Sequence, residues 1–214
     1  MKILHIVDNF DYCDGCARYV YLLAREQDRN GNEISIIVGQ GDAIELLHSE
    51  GWEVHILPEI IHNKRSVLSF FWGMIKIQKI IKQFQPSIVH THHFYAANLT
   101  LRYPRLKRQP IVHTVHQSIP RGFLSLYVGD RIIAVSESIK NEILQLYPQY
   151  ASKLNVILTG SDFLEIDDDA QSLETLELLR KKTLGYFTIA FIGRMVEAKG
   201  IYILLEALRK IHNQ

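Results

Sequence analysis

Seven short apolar runs recur along the first three quarters of the chain, separated by longer segments of mixed polarity. Each run is nearly continuous in Ile, Val and Leu, which is typical of strands that are covered on both faces of a sheet. The strands predicted in this way are residues 2–7, 33–39, 53–57, 87–92, 110–115, 131–135 and 154–158.

The segments between these runs carry helical patterns. The first, over residues 17–31, keeps its apolar side chains on one face and ends at a glycine. Helices are also predicted over 66–86 and 136–148, the latter with Ser136 as a candidate N-cap. Strand and helix in steady alternation predict an α/β fold, with an open, mostly parallel sheet and helices on both faces.

The pattern changes after residue 160. Residues 161–185 combine turn residues, an acidic run and one amphipathic helix, and they are interpreted as a linker. Another apolar run, 186–193, then predicts a strand, and an amphipathic helix follows it. A lone strand and helix cannot bury both faces of a domain. The predicted organisation is therefore a complete domain over 1–160, the linker, and the truncated start of a second domain over 186–214.

Composition narrows the class of protein. The chain is 47% hydrophobic and 22% charged, which is the balance of a soluble globular protein. The formal net charge is +1, so bulk electrostatics give no reason to expect nucleic acid as a partner. No apolar run approaches the roughly 18 residues that span a bilayer. Two cysteines supply no disulfide framework, so a cytoplasmic location is expected.

The two cysteines, Cys13 and Cys16, follow the first predicted strand and open the first helix. A thioredoxin-like redox pair occupies this position, where the helix N-terminus lowers a thiol pKa. Two cysteines alone do not complete a four-ligand zinc site, although histidines at the ends of two predicted strands can supply the number. Those histidines are His90, His92, His93, His113 and His116.

A third interpretation of the same turn rests on Gly15. Ligands of open α/β sheets lie beyond the carboxyl ends of the strands. A glycine in the first strand-to-helix turn lets the backbone approach a bound group, with the N–H donors of the helix facing it.

Six stretches, in order along nearly the whole chain, resemble motifs of the GT-B glycosyltransferases of family 4. The most specific is "IAFIGRMVEAKGIYILLEAL" (189–208), which is similar to the family's Gly-Arg…Lys-Gly motif. The other five are "DGCARYVYLLAREQDRNGNEISIIV" (14–38), "QPSIVHTHHFYAA" (85–97), "PIVHTVHQS" (110–118), "RIIAVSESIKNEI" (131–143) and "NVILTGSDF" (155–163).

The resemblance implies a Rossmann-like N-terminal domain on the acceptor side and a donor-binding C-terminal domain that has only begun by residue 214. It implies transfer of a sugar from a nucleotide-sugar donor to a hydroxyl of a glycan or lipid-linked acceptor, with retention at the anomeric carbon. Neither a metal nor a cofactor is implied, because Arg, Lys and a helix N-terminus can stabilise the departing diphosphate. Surface polysaccharide or lipopolysaccharide synthesis is the associated role. The 214 residues alone are expected to be inactive.

Residue roles follow from the same match. Arg194, Lys199 and Gly15 are expected to contact the donor diphosphate. His116 is expected to be the catalytic histidine, hydrogen-bonding the reacting hydroxyls. On this interpretation Cys13 and Cys16 are residues of the loop. The residues expected on the acceptor side are His92, His93, Tyr95 and Ser136.

Some alternatives remain open. The segment 69–84 carries Phe, Trp, Ile and Lys residues that are compatible with peripheral contact at the inner face of the membrane, or with an ordinary sheet-covering helix. The alternative to a transferase is a non-catalytic domain that binds an acceptor or a partner and belongs to a split or decayed transferase. A sugar-nucleotide epimerase of the same architecture and a Cys-x-x-Cys redox protein are the remaining function classes.

Overall fold

The computed structural model describes residues 1–64, 66–101, 109–118, 129–160, 170–193 and 195–212. Arg194 lies outside the described residues. The chain divides into two compact units, Met1–Asp162 and Phe163–Gln214.

The first unit is built on a seven-stranded sheet in which every neighbouring pair is parallel. The strand order is β3-β2-β1-β4-β5-β6-β7, so β1 and β4 are neighbours although two strands separate them in sequence. All seven predicted strands are confirmed. They are β1 (Lys2–Asn9), β2 (Glu33–Gln40), β3 (Glu53–Ile56), β4 (Ile88–Thr91), β5 (Ile111–Val115), β6 (Arg131–Ala134) and β7 (Leu154–Val156).

Among the described residues, five α-helices connect these strands, and three of them were predicted. These are α1 (Gly15–Arg29), α3 (Val67–Phe84) and α5 (Glu137–Leu146), whereas α2 (Ile44–Ser49) and α4 (Phe94–Leu101) were not predicted. Short 3₁₀ turns lie at Pro58–Ile60, His62–Lys64 and Pro148–Lys153.

Side-chain caps fix where the predicted helices begin. Ser136 is confirmed as the N-cap of α5, since its hydroxyl accepts a hydrogen bond from the backbone N–H of Ile139 at 3.2 Å. Ser66 caps α3 in the same way and forms a reciprocal capping box with Ser69.

The core has two layers because side chains of successive strand residues point to opposite faces. Helices α1 and α2 cover one face through side chains such as Val20 and Leu47. Helices α3 and α4 cover the other face through side chains such as Ile77 and Leu99. The predicted arrangement of helices on both faces is therefore confirmed.

The second unit contains α6 (Ala170–Thr183), α7 (Ile201–His212) and a 3₁₀ turn at Glu197–Lys199. The strand predicted over 186–193 is not formed, and that prediction was wrong for this structure. Phe187 and Ile192 are 94% and 96% exposed. A strand requires a hydrogen-bonding neighbour, and the described residues of this unit supply no second strand.

Candidate active site

The carboxyl ends of β1, β4 and β5 lie side by side at one edge of the sheet. The strand order reverses between β1 and β4, since the chain runs outward to β2 and β3 from β1 and then returns to its other side. In open α/β sheets, ligands bind in the crevice at such a switch point. The candidate site is this crevice.

The turn that enters α1 forms one wall of the crevice. Asp14 is the N-cap of α1, and its carboxylate accepts a hydrogen bond from the N–H of Cys16 at 2.8 Å. Gly15 is the first helical residue, and a Cβ placed there would meet no atom within 4 Å. The backbone at Gly15 is thus open to a ligand beside a helix N-terminus, which favours anionic groups.

The two cysteines of this turn differ in environment. Cys13 is exposed, whereas Cys16 is partly buried with its thiol 4.0 Å from the carbonyl oxygen of His92. Burial raises the pKa of the Cys16 thiol, and the negative charges of Asp14 and Asp8 act in the same direction. A redox pair needs an accessible thiolate. The environment of Cys16 therefore favours a packing role over a redox role.

Four imidazole rings lie beneath α1 on one face of the sheet, and we call them the histidine row: His5, His90, His92 and His116. His5 and His90 are register partners on β1 and β4. The ring centroids are 5.3 Å apart for His5–His90, 4.3 Å for His90–His92 and 5.6 Å for His92–His116. The ring of Tyr19, on α1, meets His116 edge-on at 4.8 Å.

A chain of hydrogen bonds begins at Gln27 on α1 and runs through three members of the row. Nε2 of His5 lies 2.7 Å from Oε1 of Gln27, and Nδ1 of His5 lies 3.0 Å from Nε2 of His92. Nδ1 of His92 lies 3.4 Å from Nε2 of His116, which stands beyond the end of β5. His116 is the outermost of the three, so the chain of contacts runs from the helix to the crevice.

Burial keeps the histidine row uncharged. It lowers the pKa values of His5 and His116 to about 4, and the charge of Asp14 acts in the opposite direction at His116. It lowers the pKa values of His90 and His92 well below 6.5, and the neighbouring histidines lower them further. At neutral pH His116 is therefore a neutral imidazole, which donates from one ring nitrogen and accepts at the other.

The opposite face of the sheet presents a second polar pair at the same edge. Nε2 of His93 lies 3.7 Å from Oδ2 of Asp8, at the end of β1. The pKa of Asp8 is raised to about 6, chiefly by burial, and the charge of Asp14 acts in the same direction. A carboxyl group that titrates near neutral pH can exchange a proton with a bound hydroxyl.

The other predicted site residues are distributed as follows. His92 is in the row and only 3% exposed, while Tyr95, on α4, is 1% exposed within the core that α4 shares with α3. Ser136 acts as a helix cap. Lys199 is exposed at the end of a 3₁₀ turn in the second unit. Contacts of these residues with a ligand remain predictions.

The sequence interpretation did not include His5, Asp8 and Gln27. His5 lies within the first predicted strand, and period-2 alternation places it on the same face as Val7. Its partners come from other elements, so the grouping depended on a strand order that the sequence does not state.

One cluster among the described residues has the composition of a metal site. Ring nitrogens of His5, His90 and His92 lie within 4.8 Å of one another, and all three residues are buried. Both cysteines are absent from this cluster, so the Cys-His zinc site considered from the sequence is not assembled here.

The comparisons with known proteins agree with this architecture. Residues 13–163 match the model of Glycosyltransferase Family 4. An uncharacterised glycosyltransferase of Methanocaldococcus jannaschii is 26% identical, over 92% of this chain and 56% of that protein. The chain thus spans about half the length of this curated relative.

Solved structures of GT-B glycosyltransferases share the fold. Anabaena HepE in complex with UDP and glucose aligns with a TM-score of 0.73 and 18% identity, over 98% of this chain and 58% of that chain. A Rickettsia africae glycosyltransferase aligns with a TM-score of 0.67 and 22% identity, over 100% and 58%. The fold and its crevice define a GT-B type of protein. The family match covers most of the chain, and the chain belongs to glycosyltransferase family 4.

Proposed function

We propose that the protein transfers a sugar from a nucleotide-sugar donor to a hydroxyl group of a glycan or lipid-linked acceptor, with retention at the anomeric carbon. One observation carries this proposal: the open helix N-terminus at Gly15 and the neutral imidazole of His116 lie at the same carboxyl edge of the sheet, where the charge of the adjoining Asp14 acts on His116. The first can hold a phosphate group, and the second can hydrogen-bond a sugar hydroxyl.

The donor class is supported by the fold neighbours. HepE of Anabaena has been solved with UDP-glucose as well as with UDP and glucose. In this chain Arg194 and Lys199 supply the positive charge for a departing diphosphate, with Gly15 at the helix N-terminus. The proposed reaction requires no metal ion, since Arg and Lys cations and N–H donors can stabilise the leaving group.

The proposed acceptor and donor sides correspond to the predicted domains. Residues 1–160 form the acceptor side, 161–185 link the domains, and 186–214 begin the donor side. Because the relatives are nearly twice as long as this chain, transfer requires a larger donor half than residues 186–214 provide. The proposed setting is surface polysaccharide or lipopolysaccharide synthesis at the cytoplasmic face of the membrane.

Transfer is tested with a panel of nucleotide-sugars and a glycan extract. We expect no transfer from the 214 residues alone, and transfer from the protein extended past Gln214 wherever its coding sequence continues. In the extended protein His116→Ala should lower kcat/KM by a hundredfold or more, on the order of the loss of one transition-state hydrogen bond. NMR of the product should show the anomeric configuration of the donor.

The matched control is His48→Ala, which removes an exposed imidazole on α2 that lies outside the crevice. This variant should retain wild-type activity. Full activity of His116→Ala, or an inverted anomeric centre, contradicts the proposal.

Membrane contact is supported by the first half of α3. Its buried face, which includes Met74 and Ile77, covers the sheet as expected for an ordinary helix. Its opposite face exposes large apolar side chains that are followed along the helix by exposed lysines. None of the described helices is both long and apolar enough to span a bilayer. The exposed apolar residues are Val67, Leu68, Phe71, Trp72 and Ile75.

We expect the chain to bind phosphatidylglycerol vesicles and to bind phosphatidylcholine vesicles weakly, because the lysines favour an anionic surface. Replacing Phe71 and Trp72 by serine should lower the bound fraction by about tenfold, since two aromatic anchors are lost. Vesicle co-sedimentation measures this. Tyr12→Ser, at an aromatic residue that is 67% exposed in the β1–α1 turn, is the matched control and should bind as wild type. Equal binding of both variants rules out an α3 contact.

A further inference from the structure

The contact between Gln27 and His5 defines a direction along the histidine row. The side-chain amide of Gln27 is oriented with Oε1 toward His5, 2.7 Å from Nε2, and since this oxygen can only accept a hydrogen bond, Nε2 of His5 carries the proton and donates in this orientation. His5 is fully buried and neutral at pH 7. A neutral imidazole has one protonated nitrogen, and Nδ1 of His5 is therefore an acceptor.

The same reasoning extends to the crevice. Nδ1 of His5 accepts at 3.0 Å from Nε2 of His92, which must therefore carry the proton of that ring. His92 is also neutral, so its Nδ1 accepts at 3.4 Å from Nε2 of His116. The proton of His116 is thus placed on Nε2, and its Nδ1 is left without one.

A metal ion is the competing occupant of the same ring nitrogens. Zinc bonds of about 2.0–2.1 Å at tetrahedral angles hold two ligand nitrogens about 3.4 Å apart. The 3.0 Å between Nδ1 of His5 and Nε2 of His92 is a hydrogen-bond distance instead. The geometry therefore favours a proton between these two rings over an ion.

We propose that Gln27, acting through His5 and His92, fixes the tautomer of His116 and leaves its Nδ1 as a hydrogen-bond acceptor. Gln27 is a positioning residue in this scheme, since it does not touch the reacting groups. The consequence for catalysis rests on the proposed function: a bare Nδ1 can orient a sugar hydroxyl by accepting its proton in a hydrogen bond, whereas a protonated Nδ1 cannot.

Two variants of Gln27 that have similar length and opposite hydrogen-bonding roles test the proposal. Glutamate at this position only accepts, whereas lysine only donates. We expect Gln27→Glu to keep all three histidines in the Nε2–H form. Gln27→Lys should shift His5, His92 and His116 together to the Nδ1–H form. Long-range ¹H–¹⁵N correlation spectra of the chain labelled with ¹⁵N-histidine, recorded near pH 7.5, distinguish the two tautomers.

Glu26→Lys is the matched control, because Glu26 precedes Gln27 on α1, is exposed and pairs with Arg29. It places a lysine ammonium nearby, with a change in net charge one unit larger than that of Gln27→Lys, and should leave the tautomers unchanged. An unchanged His116 in Gln27→Lys overturns the proposal. If this variant does not fold, Gln27→Met, whose thioether cannot donate and accepts only weakly, must give a mixture of tautomers, and a single form overturns the proposal.

Zinc binding and a lack of transfer activity are two further outcomes, and the experiments distinguish them from the tautomer assignment. Stoichiometric Zn²⁺ binding to the wild-type chain that is lost in His5→Ala and His92→Ala would also overturn the proposal. The spectra need neither donor nor acceptor, so they stand apart from the proposed function. A coupled tautomer shift in a protein without transfer activity would leave the tautomer assignment intact and remove only its catalytic consequence.

Discussion

Acidification from pH 7 to pH 4 is expected to unfold Met1–Asp162. In the folded state the pKa values of His5, His113 and His116 are about 4 because burial disfavours their charged forms. In the unfolded chain the same groups titrate near 6.5, so the unfolded state binds more protons between these two values. Stability is therefore lost as the pH falls through this window.

Whether the unit unfolds depends on how much of its free energy of unfolding is lost in acid. Each of these histidines contributes a loss of about 3 kcal/mol once the pH is below 4, and His90 and His92 act in the same direction. Asp8 opposes them: its pKa is raised to about 6, so its protonation in the folded state stabilises the protein by about 3 kcal/mol in acid. The net loss is comparable with the 5–15 kcal/mol that holds a typical domain together.

Urea titrations at a series of pH values measure this effect. Both tryptophans of the chain, Trp52 and Trp72, lie in the first unit, so fluorescence reports the unfolding of that unit. His113→Asn keeps a donor near the carbonyl of Thr91 and removes one buried titrating group. This variant should lower the pH at which half of the protein is unfolded. The control His48→Gln should not shift it. A stability that is constant between pH 7 and pH 4 would contradict the buried, neutral state of these rings.

The strands were predictable because each is an uninterrupted apolar run, and a strand buried on both faces leaves that trace in a sequence. Helices α2 and α4 left no comparable trace. The six residues of α2 are too few to display a helical period. Residues 94–100 of α4 are all buried, so this helix has no exposed polar face that would mark it in the sequence. The strand over 186–193 was predicted from the same kind of apolar run, but a strand also needs a neighbour.

The candidate site was predictable only in part. His92 and His116 were found because they lie at the ends of two predicted strands, which meet at one edge of a parallel sheet, and because the family resemblance assigned them roles. The roles of His5 and Gln27 could not be found, since they depend on β1 lying next to β4 and on α1 crossing above both strands. Local sequence indicates most of the elements, whereas contacts between distant elements determine which imidazoles lie next to one another.

Gly41→Ala is expected to destabilise the first unit by about 3 kcal/mol or more. Gly41 follows β2 with φ +151°, a conformation that disfavours residues with a Cβ. A Cβ at this position would stand 2.0 Å from the carbonyl oxygen of Phe10. That oxygen belongs to the backbone, which is held in place because Phe10 donates to the carbonyl of Gln40 at 2.8 Å and accepts from Ala43 at 3.1 Å.

The loss should extend to the candidate site, because the segment after Gly41 holds the turn between β1 and α1. The N–H of Asp42 donates to Asp11 at 3.0 Å, and the N–H of Tyr12 donates to Asp42 at 2.9 Å. Displacing Phe10 therefore moves the turn that carries Gly15. Wild-type stability in Gly41→Ala would show that the close packing of Phe10 on Gly41 does not hold this turn.

Gly31→Ala separates backbone conformation from crowding. Gly31 has φ +76°, and a Cβ there would meet no atom within 4 Å, so the variant reports the left-handed conformation alone. It should cost about 1–2 kcal/mol. Urea unfolding followed by tryptophan fluorescence compares the two variants, and Gly41→Ala must lose clearly more. If the two variants lose equal free energies of unfolding, crowding against Phe10 contributes nothing. The hydrogen bonds of Asp11 and Asp42 alone then hold the turn at Gly15.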